Sequence, residues 1–295
     1  MENRGARLIG RLRDLAVTVL IAGVLAGALA RVSPGFDTDE RELDPRLDEA
    51  SRRSIRAERN ANRDLCSFYA RYFRSVLRGD LGTSEAFHLP IGELIRQRAP
   101  VTAEIMSIGI AGGWALAFAL AIPAAACRRP IAAGLSSSLV GVLMCVPAAA
   151  LALVVFALGG PVRGIVALVI FPRVFDYVRN LLQHAYAQPY ILTARARGIG
   201  AARILLRHVL PPAAPQLLAL AGASAAMAFG AAIPVETLCD LPGIGQLAWK
   251  AALARDLPLL VVLTAMIALL TELCNSLPDL ILMGAESHRA EAQLT

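Results

Sequence analysis

HVLPPAAPQLLALAGASAAMAFGAAIPV, His208 to Val235, runs 28 residues without a charge. At about 1.5 Å per residue a helix of that length rises roughly 40 Å, more than the roughly 30 Å of hydrocarbon in a bilayer. The stretch therefore reads as a membrane-crossing helix. Ile105 to Cys127 and Pro130 to Val162 are equally free of charge, Leu257 to Leu277 is interrupted only by Glu272, and Leu15 to Val32 is shorter but strongly apolar. Gly164 to Leu182 is the weakest candidate, because it holds Pro172, Arg173, Asp176 and Arg179. It is kept because Gly159-Gly160-Pro161 supplies a turn before it, and because parity requires it. The predicted fold is all-α: a polytopic membrane protein with six transmembrane helices.

Composition agrees with a bilayer as solvent. Of 295 residues, 56% are hydrophobic and 18% charged, against about 25% charged in an average soluble domain. Nearly half of the charges lie between Arg31 and Pro100, so the chain is one polar block among apolar runs. The expected organisation is residues 1–32 as N-terminal segment and first crossing, 33–100 as an extracytoplasmic polar segment, 101–283 as a core with five crossings and a cytoplasmic loop at 189–212, and 284–295 as a cytoplasmic tail. Residues 40–64 read as a solvated helix. Arg4, Arg7, Arg11 and Arg13 before a compact apolar stretch also resemble a signal peptide, and cleavage stays open.

Charge bias sets the orientation. With the N-terminus inside, the short inner segments hold those four arginines, then Arg128 and Arg129, then Arg195, Arg197, Arg203 and Arg207; the short outer segments hold only Arg163, Lys250 and Arg255. Both termini are then cytoplasmic. This placement beside apolar runs accounts for the net charge of +6, and nothing in it suggests a nucleic-acid partner.

Several chemistries are excluded. The single lysine, Lys250, precedes Ala251, so no phosphate-binding Gly-Lys-Ser/Thr loop exists and energy from ATP has to come through another subunit. Cys66, Cys127, Cys145, Cys239 and Cys274 are scattered, with no metal-ligand spacing. A membrane-embedded enzyme needs a nucleophile and base or a metal pair, and no Gly-x-Ser-x-Gly or His-Glu-x-x-His occurs. A secondary transporter is expected to show paired broken crossings or inverted repeats, and none is visible. The chain is not expected to be an enzyme.

Two stretches carry the functional reading. Pro189 to Pro212, PYILTARARGIGAARILLRHVLPP, reads as a short helix through Arg197, a break at Gly198, and a second short helix from Ala201 to about Val209 before Pro211 and Pro212. Ile204, Leu205 and Val209 share one face and Arg203 and Arg207 another. The alternative is an amphipathic loop resting on headgroups. The second stretch, Glu236 to Leu247, reads either as a gate beside a translocation pathway or as an ordinary packed hairpin; Pro242, Gly243 and Gly245 permit its turns. Glu272, deep in the last run, either lines a pathway, bonds a neighbouring helix or meets lipid.

Tyr190 to Gly198, with His208-Val209-Leu210-Pro211 following, resembles the cytoplasmic "EAA" loop of ATP-binding-cassette permeases, in the dipeptide, oligopeptide and nickel branch. Leu192 and Thr193 stand where the loop nominally has Glu and Ala. Glu236 to Leu247 with Ala251 to Asp256 and Pro258 resembles that branch's outer loop, Arg78 to Ser84 its Gly-Asp-Leu-Gly-x-Ser, and Asn275 and Asp279 its last crossing. The ends depart from the pattern: Phe36 interrupts the usual Pro-Gly-Asp, and Gly284 to Ser287 replaces the final Asp-Pro-Arg.

The resemblance implies a permease subunit of an ATP-driven importer in a bacterial inner membrane, for peptides, nickel, opines or a related solute. It implies a coupling helix at the ATPase interface formed by Tyr190, Thr193, Ala194, Arg195, Arg197, Gly198, Arg203, Arg207, His208, Leu210 and Pro211. It implies an outer gate or pathway set of Glu236, Asp240, Pro242, Gly243, Gly245 and Glu272. The partners are a second permease chain, usually a homologue, two ATPase subunits that bind ATP and magnesium, an extracytoplasmic solute-binding protein, and lipid. No cofactor belongs to this chain. Cys66 and Cys239 fall on the same outer side, so a disulfide between them stays open. The orientation is checked by Gly200→Cys: a thiol reagent that cannot cross membranes is expected to label it only after permeabilisation, and labelling of intact cells would reverse the orientation.

Overall fold

Within a bilayer each backbone N–H and C=O has to find its partner inside its own segment, so long apolar runs become helices. The computed structural model describes residues 10, 13, 15–25, 27–28, 79–126, 138 and 140–292, apart from the side chains of 277, 279–280 and 282–292. Among them the order is α1 (Leu15–Leu25), α2 (Ile91–Ala126), α3 (Ala148–Ala157), α4 (Ile165–Tyr186), α5 (Pro189–Ala196), α6 (Ala201–Ile204), α7 (Leu210–Leu238), α8 (Ile244–Leu253) and α9 (Leu257–Ala292). The all-α expectation holds among the described residues, whose β pairing is an isolated antiparallel bridge, Thr83 to Pro90. The polar block up to residue 78, with its expected solvated helix and Cys66, lies outside the described residues.

Three described stretches are long and apolar enough to cross a membrane: Ile91–Ala125, Ala201–Leu238 and Leu257–Ser276. They coincide with the second, fifth and sixth expected crossings. The segment expected as the fourth is helical, as α4, but is not one of these three. The third differs from the uninterrupted helix that its charge-free run suggests. Residues 140–145 are helical, Val146 and Pro147 are not, and α3 starts anew beyond Pro147 at φ −60° and ψ 142°. Proline lacks the N–H that would continue the earlier turn, while its carbonyl accepts the Leu151 N–H at 3.1 Å to begin the next. α2 also starts well before the charge-free run, at Ile91, so residue 100 lies inside a helix. Its first exposed turn is held by Arg96 and Gln97 donating to Glu93 at 2.8–3.0 Å.

The described chain divides into two compact units, Met1–Ala99 with Leu247–Leu269, and Pro100–Gln246 with Leu270–Thr295. In the first, a tight loop precedes α2: Gly82 N–H bonds Asp80 Oδ1 at 2.9 Å, and Ile91 N–H returns to the Gly82 carbonyl at 3.0 Å. The Ser84 hydroxyl donates to Asp256 Oδ2, which also accepts Ala86 N–H at 3.1 Å. Asp256 caps α9 through its other oxygen, taking Leu259 N–H at 3.1 Å. Ser84 and Asp256 are 2% and 1% exposed. Two motifs far apart in sequence thus meet at one buried carboxylate.

In the second unit α4 is the core element. Ile165, Val166, Ile170, Val174, Phe175, Val178 and Leu182 are buried, and α4 packs along α7 and α3. Small residues let these helices approach, as expected where lipid supplies little drive for association. A Cβ on Gly113 would lie 3.1 Å from the Ala167 carbonyl, so α2 meets α4 backbone to backbone. A Cβ on Gly222 would overlap the Cys274 carbonyl and Pro278, which brings α7 onto α9. The slanted charge stripe pairs locally as expected: Arg179 Nη2 lies 2.8 Å from Asp176 Oδ1.

This packing separates two glycines of α7. Among the described residues nothing lies within 4 Å of a Cβ on Gly230. Gly222→Ala is expected to destabilise by about 1–3 kcal/mol through overpacking, whereas Gly230→Ala stays within about 0.5 kcal/mol. Thermal unfolding of the two variants in the same detergent checks the contrast; equal midpoints would contradict it.

Candidate functional site

The loop at 189–212 is built from its turns. α5 opens with Pro189, whose missing N–H costs nothing in a first turn. Ile191 and Ala194 are buried, while Leu192 is 66% exposed. The helix ends at Arg197. Ile199 N–H then reaches the Ala194 carbonyl at 3.2 Å and Gly198 N–H the Arg195 carbonyl at 2.9 Å, the paired closure of a Schellman cap. Gly198 sits at φ +74°, with nothing among the described residues within 4 Å of a Cβ. It is glycine because of its backbone angle, not because space is short.

The next stretch corrects the expectation of a short helix ending before Pro211. α6 passes through a π-helical turn, Leu205–Val209, directly into α7. The Leu210 N–H bonds the Leu205 carbonyl, one residue further back than in an α-helix. Pro211 and Pro212 fall in the first turn of α7. Their missing donors leave carbonyls of the preceding turn to other partners. One of these is taken from outside the helix: the Tyr190 hydroxyl donates to the His208 carbonyl at 3.4 Å. Among the described residues, His208 Nδ1 is buried without a hydrogen-bond partner.

The structure thus brings Tyr190, Thr193, Ala194, Arg195, Arg197, Gly198, Arg203, Arg207, His208, Leu210 and Pro211 into one stretch that runs from α5 through α6 and the π turn to the first turn of α7. Ile204 and Val209 face inward with Leu205 half-buried; Arg203 and Arg207 are exposed, and Leu206 is 63% exposed. Arg195 lies over the Tyr186 ring at 5.9 Å. Burial pushes the Tyr186 phenol above its ordinary pKa, a rise the Arg195 charge offsets in part.

The predicted outer loop is organised by one acid. Glu236 stands at the end of a crossing, where the sequence suggests that it reaches water. It is instead 0% exposed. Its Oε1 accepts the Thr102 hydroxyl at 2.7 Å, and its Oε2 accepts Gly245 N–H at 2.7 Å and Gln246 N–H at 3.2 Å. Thr102 Oγ1 in turn accepts Ile244 N–H at 2.8 Å. The first N–H groups of α8, which have no partner within the helix, therefore end on a carboxylate and a hydroxyl. That geometry seals Glu236 from solvent.

Gly243 presses on the acid so closely that any Cβ would overlap its carboxylate, and a Cβ on Gly245 would sit 2.7 Å from the Ile233 Cα. Asp240, at φ +50°, accepts Gln246 Nε2 at 2.6 Å. Pro242 is exposed. Four of the six predicted residues, Glu236, Asp240, Gly243 and Gly245, are joined here. Glu272 takes a hydrogen bond from Ser276 on its own helix at 3.5 Å. Cys239 is buried and its thiol pushed up by burial, while Cys66 lies outside the described residues. Thr102 is the residue sequence reasoning missed; it lies 134 positions from Glu236, and no spacing links them.

A family model described as "Binding-protein-dependent transport system inner membrane component" matches residues 115–283, more than half of the chain. The chain is 28% identical to the oligopeptide transport system permease protein OppB of Escherichia coli over 89% of its own length and 92% of that protein. It is 25% identical to the oligopeptide transport system permease protein AppB of Bacillus subtilis, with 88% and 90% covered. It is likewise 25% identical to the glutathione transport system permease protein GsiC of Salmonella paratyphi A, with 86% and 88% covered.

Glu236→Ala strands two backbone donors and the Thr102 hydroxyl in a buried place, each worth about 1–3 kcal/mol when left unsatisfied. Amide exchange at Gly245 and Gln246 is expected to speed up by more than about tenfold, since 1.4 kcal/mol is already a factor of ten. Unchanged protection at both amides would show that the acid does not hold the loop.

Proposed function

We propose that this chain, which belongs to the family of binding-protein-dependent transport system inner-membrane components, couples ATP hydrolysis by partner subunits to the import of peptides or a related small solute. As a member of that family it is a membrane permease component and not an enzyme. In this reading it crosses the bacterial inner membrane six times with both termini in the cytoplasm. It pairs with a second permease subunit, usually a homologue, and works with two ATPase subunits that bind ATP and magnesium and with an extracytoplasmic solute-binding protein. The names of these relatives, two for oligopeptides and one for glutathione, support peptides as the solute class.

The observation that carries the coupling role is mechanical continuity. α5 closes on Gly198, buries Ile191 and Ala194, and is tied by Tyr190 to the π turn, while Ile204 of α6 and Val209 of the π turn are buried as well. From α6 onward the helix runs unbroken through Leu238. A push on the exposed knob, carrying Leu192, Leu206, Arg203 and Arg207, is therefore delivered to a membrane-crossing helix and not absorbed by a linker. Exposed leucines flanked by arginines suit docking in a cleft of a partner subunit, where a few anchors carry most of the binding energy. At the other end of α7, the Glu236 loop is the counterpart gate. A rigid link between knob and loop lets one motion open access on one side while closing it on the other.

Leu206→Glu places a charge in the proposed docking face without touching a buried residue. Membrane insertion is expected to be unchanged while ATP-driven uptake falls by about tenfold or more, the effect of losing one docking anchor. Gly198→Trp, which strains the left-handed cap, is expected to do the same. Uptake at the wild-type rate in both variants would refute the coupling assignment.

A further inference from the structure

α4 holds Arg173, Asp176 and Arg179 at three-residue spacing. Asp176 is satisfied on its own helix, by Arg179 at 2.8 Å and by Asn180 Nδ2 at 3.4 Å. Among the described residues Arg173 has no ion pair, which leaves one uncompensated positive charge on this face. An ionisable group on a membrane helix is costly unless it is wetted or bound to a counter-charge. Beside it α4 and α7 leave an open cavity of about 610 Å³, within the size range of small-ligand sites.

The lining is rich in donors. Arg173, Tyr177, Asn180, His184 and Gln216 bring a guanidinium, a phenol, two carboxamides and an imidazole to one space, while Met144 and Leu181 add an apolar wall. Asp176, the acid among the lining residues, is already neutralised. One net positive charge surrounded by neutral donors suits an anion with several acceptor oxygens, which a phosphate offers in more directions than a carboxylate. Basic pockets between membrane helices on the cytoplasmic side take anionic lipid headgroups, and the proposed orientation puts this end of α4 at the inner leaflet.

We propose that the cavity between α4 and α7 binds a phosphate-bearing anion, met in the membrane as the headgroup of an anionic phospholipid, with Arg173 as its charge partner and Tyr177, Asn180, His184 and Gln216 as neutral donors. The site rests on the membrane reading of the chain and not on the solute or the ATPase. A bound headgroup would cross-link α4 and α7, the core helix and the helix that carries the knob.

The test uses the full-length purified chain in neutral detergent, titrated separately with phosphatidylglycerol, phosphatidylcholine and inorganic phosphate. Thermal unfolding and native mass spectrometry of retained lipid are the readouts. Phosphatidylglycerol is expected to raise the midpoint and stay bound, and phosphatidylcholine to do neither. Arg173→Gln is expected to weaken the phosphatidylglycerol titration by about tenfold, the loss of one charge-assisted contact, and Arg173→Lys to weaken it less. A shift produced by inorganic phosphate alone supports the site with a free anion as ligand; a shift with lipid alone supports it with a headgroup. Equal phosphatidylglycerol titrations for wild type and folded Arg173→Gln overturn the proposal. Should Arg173→Gln fail to fold, Tyr177→Phe takes its place under the same criterion. Because no transport is measured, failure here leaves the importer reading untouched.

Discussion

Polar backbone that leaves a helix inside or beside a bilayer must be paired by something, and in this chain that need is met by a few buried side chains. Glu236 is the clearest case. It lies at the end of a long apolar helix, and it accepts three hydrogen bonds from Thr102, Gly245 and Gln246. The start of α8 depends on it, as does the close approach of Gly243. Asp256 does the same work in the other unit, closing the loop before α2 through Ser84 and Ala86 while capping α9. In both places a carboxylate substitutes for the water that loop backbone would otherwise bind.

The same constraint shapes the proposed coupling region. Two consecutive prolines would ordinarily stop a helix. Here they follow a π turn that shifts the hydrogen-bond register by one residue, and a carbonyl of that turn is met by the Tyr190 hydroxyl. The helix is preserved, and with it a rigid path from the exposed knob into the membrane. π turns of this kind are frequent at functional positions because they are tolerated only where the surroundings compensate them.

Close helix contact is the other condition. Without a strong hydrophobic drive between helices, association rests on how near backbones can come. Gly112 and Gly113 of α2 admit α4, and Gly222 of α7 admits α9. α4, the least apolar of the expected crossings, has one apolar face buried in the unit's core. That explains how a segment with Arg173, Asp176 and Arg179 persists as a helix: its apolar face is buried in protein, and its charges pair with one another or line the cavity.

Much of this was legible in the order of residues. Charge-free runs predict the long helices, Gly198 predicts a break because a left-handed cap favours glycine, and the Tyr190 to Gly198 pattern points to the family before any fold is known. Local chemistry suffices for these, since each depends on neighbours a few residues away. The sequence could not reveal the break at Pro147, which sits in a run with no charge to mark it, or the continuity of α6 with α7, which reverses the usual meaning of Pro211 and Pro212. Nor could it pair Thr102 with Glu236 or Ser84 with Asp256. Those pairings join residues more than a hundred positions apart, and only the packed helices decide which buried donor meets which buried acceptor.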